Sequence, residues 1–125
     1  MFYTNPKILG NYTAENRLWQ GIPSIEVTKN GRIFVTFYSG VTEEAIGNYV
    51  VLIKSDDGKT FSEPIAAAFK EGHRCYDPCL WIDPLNRLWF TWACAPEQAV
   101  YGAVCENPDA EVLKWSEIKK IGNDV

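Results

Sequence analysis

The sequence of 125 residues lacks several features, and each absence removes a class of function. No stretch approaches the roughly 18 consecutive apolar residues needed to cross a bilayer as a helix, which excludes a helical membrane span. Residues 1–10 have neither the basic start nor the apolar run of a secretory signal, so as written the chain is cytoplasmic. It is secreted or periplasmic if its true N-terminus lies farther upstream. Lys and Arg total 12 against 16 acidic residues and form no cluster, which excludes a nucleic-acid partner, because such binding rests on cations that displace counterions from phosphates. The cysteines Cys75, Cys79, Cys94 and Cys105 lack the paired CxxC spacing of a zinc site, so no metal and no cofactor is expected. In a cytoplasmic chain these four are reduced thiols.

Apolar and aromatic surface is plentiful. The chain is 46% hydrophobic and 14% aromatic, and Trp19, Trp81, Trp89, Trp92 and Trp115 all need cover. The length suits one domain with a modest core. Within it runs an internal repeat: Pro23 aligns with Pro78, Arg32 with Arg87, Ile33 with Leu88, Phe34 with Trp89, Thr36 with Thr91 and Phe37 with Trp92, each pair 55 residues apart. Farther on, Phe61-Ser62-Glu63 matches Trp115-Ser116-Glu117 at a spacing of 54, so one residue is lost between the units.

Each unit reads as four short strands, rich in β-branched and aromatic residues and bounded by turn residues. In the first, 22–28 turns at Asn30-Gly31, a pair suited to the positive φ of a tight hairpin, into 32–38. In the second, 79–82 turns at Asp83-Pro84-Leu85-Asn86 into 87–92. Third strands are expected at 48–54 and 100–105, and fourth strands begin near Phe61 and Trp115. The continuous apolar character of 33–38 and 88–95 predicts strands covered on both faces. This is the pattern of β-propeller blades, an all-β class in which antiparallel four-stranded sheets stack around an axis. The expected layout is a lead-in segment at 1–20, one blade at 21–70 and a second at 73–125. Two blades cannot close a ring, so further blades are expected from a longer chain or from copies of this one. In that layout the lead-in lends a strand to a final blade absent from this sequence.

The run Lys54-Ser55-Asp56-Asp57-Gly58-Lys59-Thr60-Phe61 resembles the Asp-box, the Ser-x-Asp-x-Gly-x-Thr-Trp hairpin of sialidases and other BNR-repeat propellers. With Gly58, Thr60 and Phe61 in the family's Gly, Thr and Trp places, Asp56 takes the Asp place and Lys54 that of Ser; Ser55 substitutes after a shift of one residue. The resemblance implies a structural motif remote from the active site. Gly21-Ile22-Pro23-Ser24 is similar to the family's Arg-Ile-Pro motif, with Gly21 where an arginine grips the substrate carboxylate. A six-bladed sialidase-like propeller is the architecture this likeness implies.

By the same likeness a catalytic acid belongs between the second and third strands of the first blade, where Glu43-Glu44-Ala45-Ile46-Gly47-Asn48 stands. Glu44 is the candidate acid/base and Glu43 the runner-up; the bland alternative is a solvated acidic loop. His73, Arg74 and Asp77 precede the second blade's first strand and are candidate substrate contacts. His73 is the chain's one histidine, suited to proton transfer, and Arg74 suits a sugar carboxylate. Glu26 is a candidate lining residue, or a member of a polar strand face with Ser24 and Thr28. The plain alternative for Arg74 and Asp77 is an ion pair with each other. The function implied is a sialidase-like glycoside hydrolase acting on an acidic or complex glycan, inactive as these two blades alone. A non-catalytic glycan-binding module assembled from two-blade protomers is the alternative, and a uronic-acid lyase using His73 as base is the third reading.

Overall fold

The computed structural model describes residues 1–40 and 44–123. A short strand β1 (Phe2–Tyr3) leads into a helical turn α1 (Pro6–Leu9) and two 3-10 turns (Gly10–Tyr12 and Ala14–Asn16). Then come β2 (Trp19–Val27), β3 (Ile33–Gly40), β4 (Tyr49–Ser55) and β5 (Ala66–Ala68), followed by β6 (Arg74–Ile82), β7 (Leu88–Ala95), β8 (Ala99–Cys105) and β9 (Lys119–Asn123). Among the described residues these make two antiparallel sheets, ordered β1-β5-β4-β3-β2 and β6-β7-β8-β9. No described helix is long and apolar enough to cross a membrane.

The repeat persists in backbone detail. Gly31 and Asn86, 55 residues apart, both take positive φ (92° and 59°) in the tight turns β2–β3 and β6–β7. Ile22 and Asp77, equally spaced, also take positive φ (48° and 46°). Each precedes a proline and sits in a bulge, between Gly21 and Ser24 in β2 and between Tyr76 and Cys79 in β6. Proline has no N–H for a ladder, so a bulge on an edge strand is where a sheet accommodates it. The matched serines act alike as well. Ser62 N–H donates to Lys54 O (2.8 Å) while Lys54 N–H donates to Ser62 Oγ (3.0 Å), and Ser116 makes the same double clamp with Val104 (2.8 and 2.9 Å).

Three expectations need correction. The fourth strands start later than Phe61 and Trp115: β5 begins at Ala66 and β9 at Lys119, and Trp115 makes only an isolated bridge to Cys105. The serine clamp occupies the place where strand pairing was expected. The lead-in lends its strand β1 to the first sheet itself, pairing Phe2 with Ala68 and Tyr3 with Ala67. Finally, Arg74 and Asp77 lie inside β6, not before it.

One core joins the sheets. Phe34, Tyr38, Val50 and Leu52 from the first meet Leu80, Leu88, Phe90 and Trp92 from the second, all buried. Phe2 stacks on Trp92 with ring centroids 5.6 Å apart. Polar links cross the same seam. Leu80 N–H donates to Ser24 Oγ (3.1 Å), Ile82 N–H to Glu26 Oε2 (2.6 Å), and Arg32 Nη1 to the carbonyls of Pro108 (2.9 Å) and Ala110 (2.6 Å). A second cluster seats Leu9 and Tyr12 on Phe37, Tyr49 and Val51, so the lead-in covers part of the first sheet's other face. The rest of that face stays open, with Ile25 and Val27 exposed and a groove of about 390 Å³ lined by Pro23, Val35, Ile53 and Phe61. The far face of the second sheet presents Trp81 (54% exposed) and Ile121 beside Cys79, Trp89 and Thr91.

Candidate functional site

All antiparallel hairpins of this kind have two ends, and the chemistry divides between them. At one end lie the β2–β3 turn, the β6–β7 turn and the tight turn at 55–60 after β4. There Asp57, not Asp56, accepts the backbone N–H groups of the turn. Its Oδ1 accepts from Lys59 N–H and Thr60 N–H (2.8 Å each), while Gly58 N–H donates to Ser55 Oγ (2.9 Å) and Gly58 takes φ 75°. The Ser55 hydroxyl also donates to Asp57 (3.1 Å). The bonded turn therefore runs Ser55-x-Asp57-Gly58-x-Thr60, one residue shorter than the Asp-box pattern its sequence resembles. Backbone donors, that of Thr60 first, draw the Asp57 carboxyl down to about 2. Asp56 is a solvent-side ion-pair partner of Arg32 (2.6 Å) and Lys54 (2.8 Å). Phe61 is 42% exposed on the open groove and does not anchor the turn.

At the opposite end, the loop between β3 and β4 meets the start of β6. Gly47 N–H donates to His73 O (2.8 Å) and Cys75 N–H to Asn48 O (3.0 Å), tying the loop of one sheet to the first strand of the other. Asn48 Oδ1 accepts from Ala45 N–H (2.8 Å). A Cβ on Gly40 would stand 2.9 Å from the Asn48 amide, so a larger residue there would push that side chain aside. Glu44 is thereby set beside β6, where its Oε2 lies 3.5 Å from Arg74 Nη1 and its Oε1 accepts from the Tyr38 hydroxyl. The Arg74 guanidinium stacks over the Tyr76 ring at 4.1 Å.

The electrostatics follow from this geometry. Burial, the hydrogen bond to Glu44 and the charges of Glu44 and Asp77 push the Tyr38 phenol up to about 12, against the pull of Arg74. The hydrogen bond from Tyr38, followed by Arg74, draws the Glu44 carboxyl below the usual glutamate range despite some desolvation. At neutral pH Tyr38 is thus a donor, Glu44 an ionised acceptor and Arg74 a cation.

The structure brings together Glu44, Arg74 and, through its field at Tyr38, Asp77. Arg74 pairs with Glu44 rather than with Asp77, and Glu43 lies outside the described residues. His73 belongs to a neighbouring group: its Nδ1 is 2.9 Å from Glu71 O and its Nε2 3.6 Å from Glu97 Oε1. Glu97 also accepts from Lys70 Nζ (2.6 Å) and the Tyr101 hydroxyl (2.8 Å). Glu26 is committed to Ile82 N–H, so it stitches the sheets and does not face the Glu44 cluster. Sequence reasoning missed Tyr38, which reads as one more aromatic in an apolar strand. Its signal was its place, at the loop end of β3 opposite the Gly21 backbone and six residues before Glu44. Among the described residues no group of His, Cys, Asp or Glu is arranged to hold a metal ion. Comparison with protein-family models and with curated proteins returns no match.

Proposed function

We propose that the chain is part of a β-propeller glycoside hydrolase of the sialidase type, acting on an acidic glycan, with Glu44 and Arg74 in its site. The observation that carries this reading is the meeting of Glu44, Tyr38 and Arg74 across two repeat-related sheets, at the end away from the Asp-box hairpin. The open faces support the propeller part. Ile25, Val27, Val35 and Phe37 on the first sheet's outer side are 55 residues before Leu80, Ile82, Phe90 and Trp92, which pack in the joint core. Conversely, Trp89 and Thr91 on the second sheet's far side stand 55 residues after Phe34 and Thr36, which are buried in the seam. Each open face is the repeat image of a face already engaged, as expected of blades that continue around a ring.

In the unliganded state Glu44 is too acidic to serve as a proton donor. A sugar carboxylate that pairs with Arg74 withdraws that cation from Glu44 and adds a like charge beside it, and both effects raise the Glu44 pKa. Substrate binding thus converts Glu44 toward the protonated form that donates to the leaving glycosidic oxygen, with Tyr38 holding its other oxygen. Tyr38, protonated to about 12, is a donor here and not a nucleophile. The nucleophile and the remaining carboxylate contacts then come from further blades.

Titrating the 15N-labelled chain with N-acetylneuraminic acid or glucuronic acid tests this. Shifts should gather on Glu44, Gly47, Arg74 and Asp77 and disappear in Arg74→Ala, whereas neutral galactose should leave them in place. Equal response to galactose, or shifts gathered on the Asp57 hairpin, would refute the acidic-glycan site. In a protein carrying the further blades, Glu44→Gln should lower turnover by about 10²-fold or more. The second reading, a binding module built from two-sheet protomers, is favoured by Gly21 in place of the motif arginine. A discrete small ring by light scattering on the 125-residue chain would decide for it.

A further inference from the structure

We propose that Cys75 and Cys94 are a dithiol–disulfide couple, able to close a cross-strand disulfide between β6 and β7 with the backbone in place. The two are direct partners in the ladder. An antiparallel ladder alternates wide, hydrogen-bonded pairs with narrow ones, whose Cα atoms lie about 4.5 Å apart. Cys75 is of the narrow kind, because its N–H points away from β7, to Asn48 O (3.0 Å). Leu80 and Ile82, beyond the bulge, likewise turn their N–H groups outward, to Ser24 and Glu26. A Cα separation of about 4.5 Å falls inside the window that a disulfide spans without distortion. As direct partners, the two side chains leave the sheet on the same face.

The remaining cysteines do not compete. Cys79 is exposed and pairs with Thr91, and Cys105 is buried opposite Leu88 at the other end of the sheet. Cys75 and Cys94 are both fully buried, which suits a small oxidant such as hydrogen peroxide better than a bulky one. Burial raises both thiols and keeps the thiolate scarce, so the first step is slow at neutral pH and quickens as pH rises. In that step one thiolate attacks a peroxide oxygen, the O–O bond breaks, and the departing hydroxide takes up a proton to leave as water. The sulfenic acid so formed is attacked at sulfur by the second thiolate; the S–O bond breaks and a second water leaves. Two thiols and one peroxide thus give one disulfide and two waters.

The inference does not rest on the sugar reading, and its test gives an independent answer. A Cys79→Ser chain is treated with hydrogen peroxide, unfolded, alkylated without reductant and mapped by peptide mass spectrometry, with far-UV circular dichroism checking the fold before unfolding. The expected product is a single Cys75–Cys94 link with Cys105 alkylated, formed faster at pH 9 than at pH 7. The oxidised chain should melt at a higher temperature than the reduced one, and Cys94→Ala should abolish the difference. Cys75 and Cys94 that remain alkylatable, that go on to sulfinic acid, or that link to Cys105 in a folded chain would overturn the proposal. The mapping needs neither buried cysteine replaced, so it decides even if Cys94→Ala fails to fold.

Discussion

Replacing Phe90 by alanine tests whether the two sheets share one core, on which the contact between Glu44 and Arg74 depends. Phe90 is fully buried in β7, and its ring lies 6.2 Å from Phe2, 5.3 Å from Trp92 and 6.3 Å from Trp115, with Phe34, Val50 and Leu52 of the first sheet in the same cluster. Truncating such a ring removes about 3–5 kcal/mol, from lost transfer energy and from the cavity left behind. At about 0.05–0.15 kcal/mol per residue, a chain of 125 residues has about 6–19 kcal/mol in total, so the variant stays folded but loses a large part of its margin. Native-state hydrogen exchange is the discriminating assay, because it reads each sheet separately. The amides of Val50, Val51 and Leu52 in β4 do not neighbour Phe90 in sequence or in sheet. If the core is shared they should exchange about 10²–10³-fold faster, together with the amides of β7 and β8. Trp81→Ala, a change on the half-exposed far face, should cost under about 1 kcal/mol and leave both sheets protected. Wild-type protection of β4 in Phe90→Ala would show that each sheet has its own core, and the two-sheet site would lose its physical basis.

The backbone contacts of Asp57 predict that Asp57→Asn lowers the urea midpoint while Asp56→Asn, a loss of surface ion pairs only, leaves it nearly unchanged; the reverse order would make Asp56 the residue that holds the turn. Because the Asp57 carboxyl is drawn from 3.8 to about 2 on folding, its contribution is full above about pH 4 and is lost as pH falls through about 2, so the gap between wild type and Asp57→Asn should narrow below about pH 4 and close only below about pH 2. Ile22→Asn should raise stability by about 1 kcal/mol in the same urea assay, since a β-branched side chain at φ 48° is strained and Ile22 is 52% exposed; a lower midpoint would mean that its side chain packs after all.

Much of the fold was legible because turns and bulges punish the wrong residue. Asn30-Gly31 and Asn86 mark the two tight hairpins, and the spacing of 55 residues carries over to their positive φ values. The serines of Phe61-Ser62-Glu63 and Trp115-Ser116-Glu117 were legible as a repeat but not as a clamp, since their partners, Lys54 and Val104, share no chemistry: the backbone makes the bond. The outer strands were not legible. Ala66, Ala67 and Ala68 lack the β-branched signature of a strand, yet they pair between β4 and β1 and are fully buried. The aspartate that holds the turn after β4 was also hidden, since Asp56 and Asp57 are identical in type and only a count of backbone donors separates them.

The candidate site was half legible for a reason that lies in the bulges. A strand alternates its faces every residue, so Cys75 and Leu80, five apart, cannot both face the core in a regular strand. They do so here because the extra residue at Asp77-Pro78 resets the alternation. The same device at Ile22-Pro23 lets Trp19 and Gly21 on one side of the bulge, and Ser24 and Glu26 on the other, serve the same seam. Arg74 and Asp77 were expected before the first strand of the second unit, whereas the bulge lets β6 start at Arg74 and leaves Asp77 exposed. The loop-end half of each inner strand is thereby released to carry polar groups, while the other half stays in register for packing. A fold that must keep an apolar seam and a charged cluster on one pair of strands needs such a break, and the proline with its positive-φ neighbour is where the sequence records it.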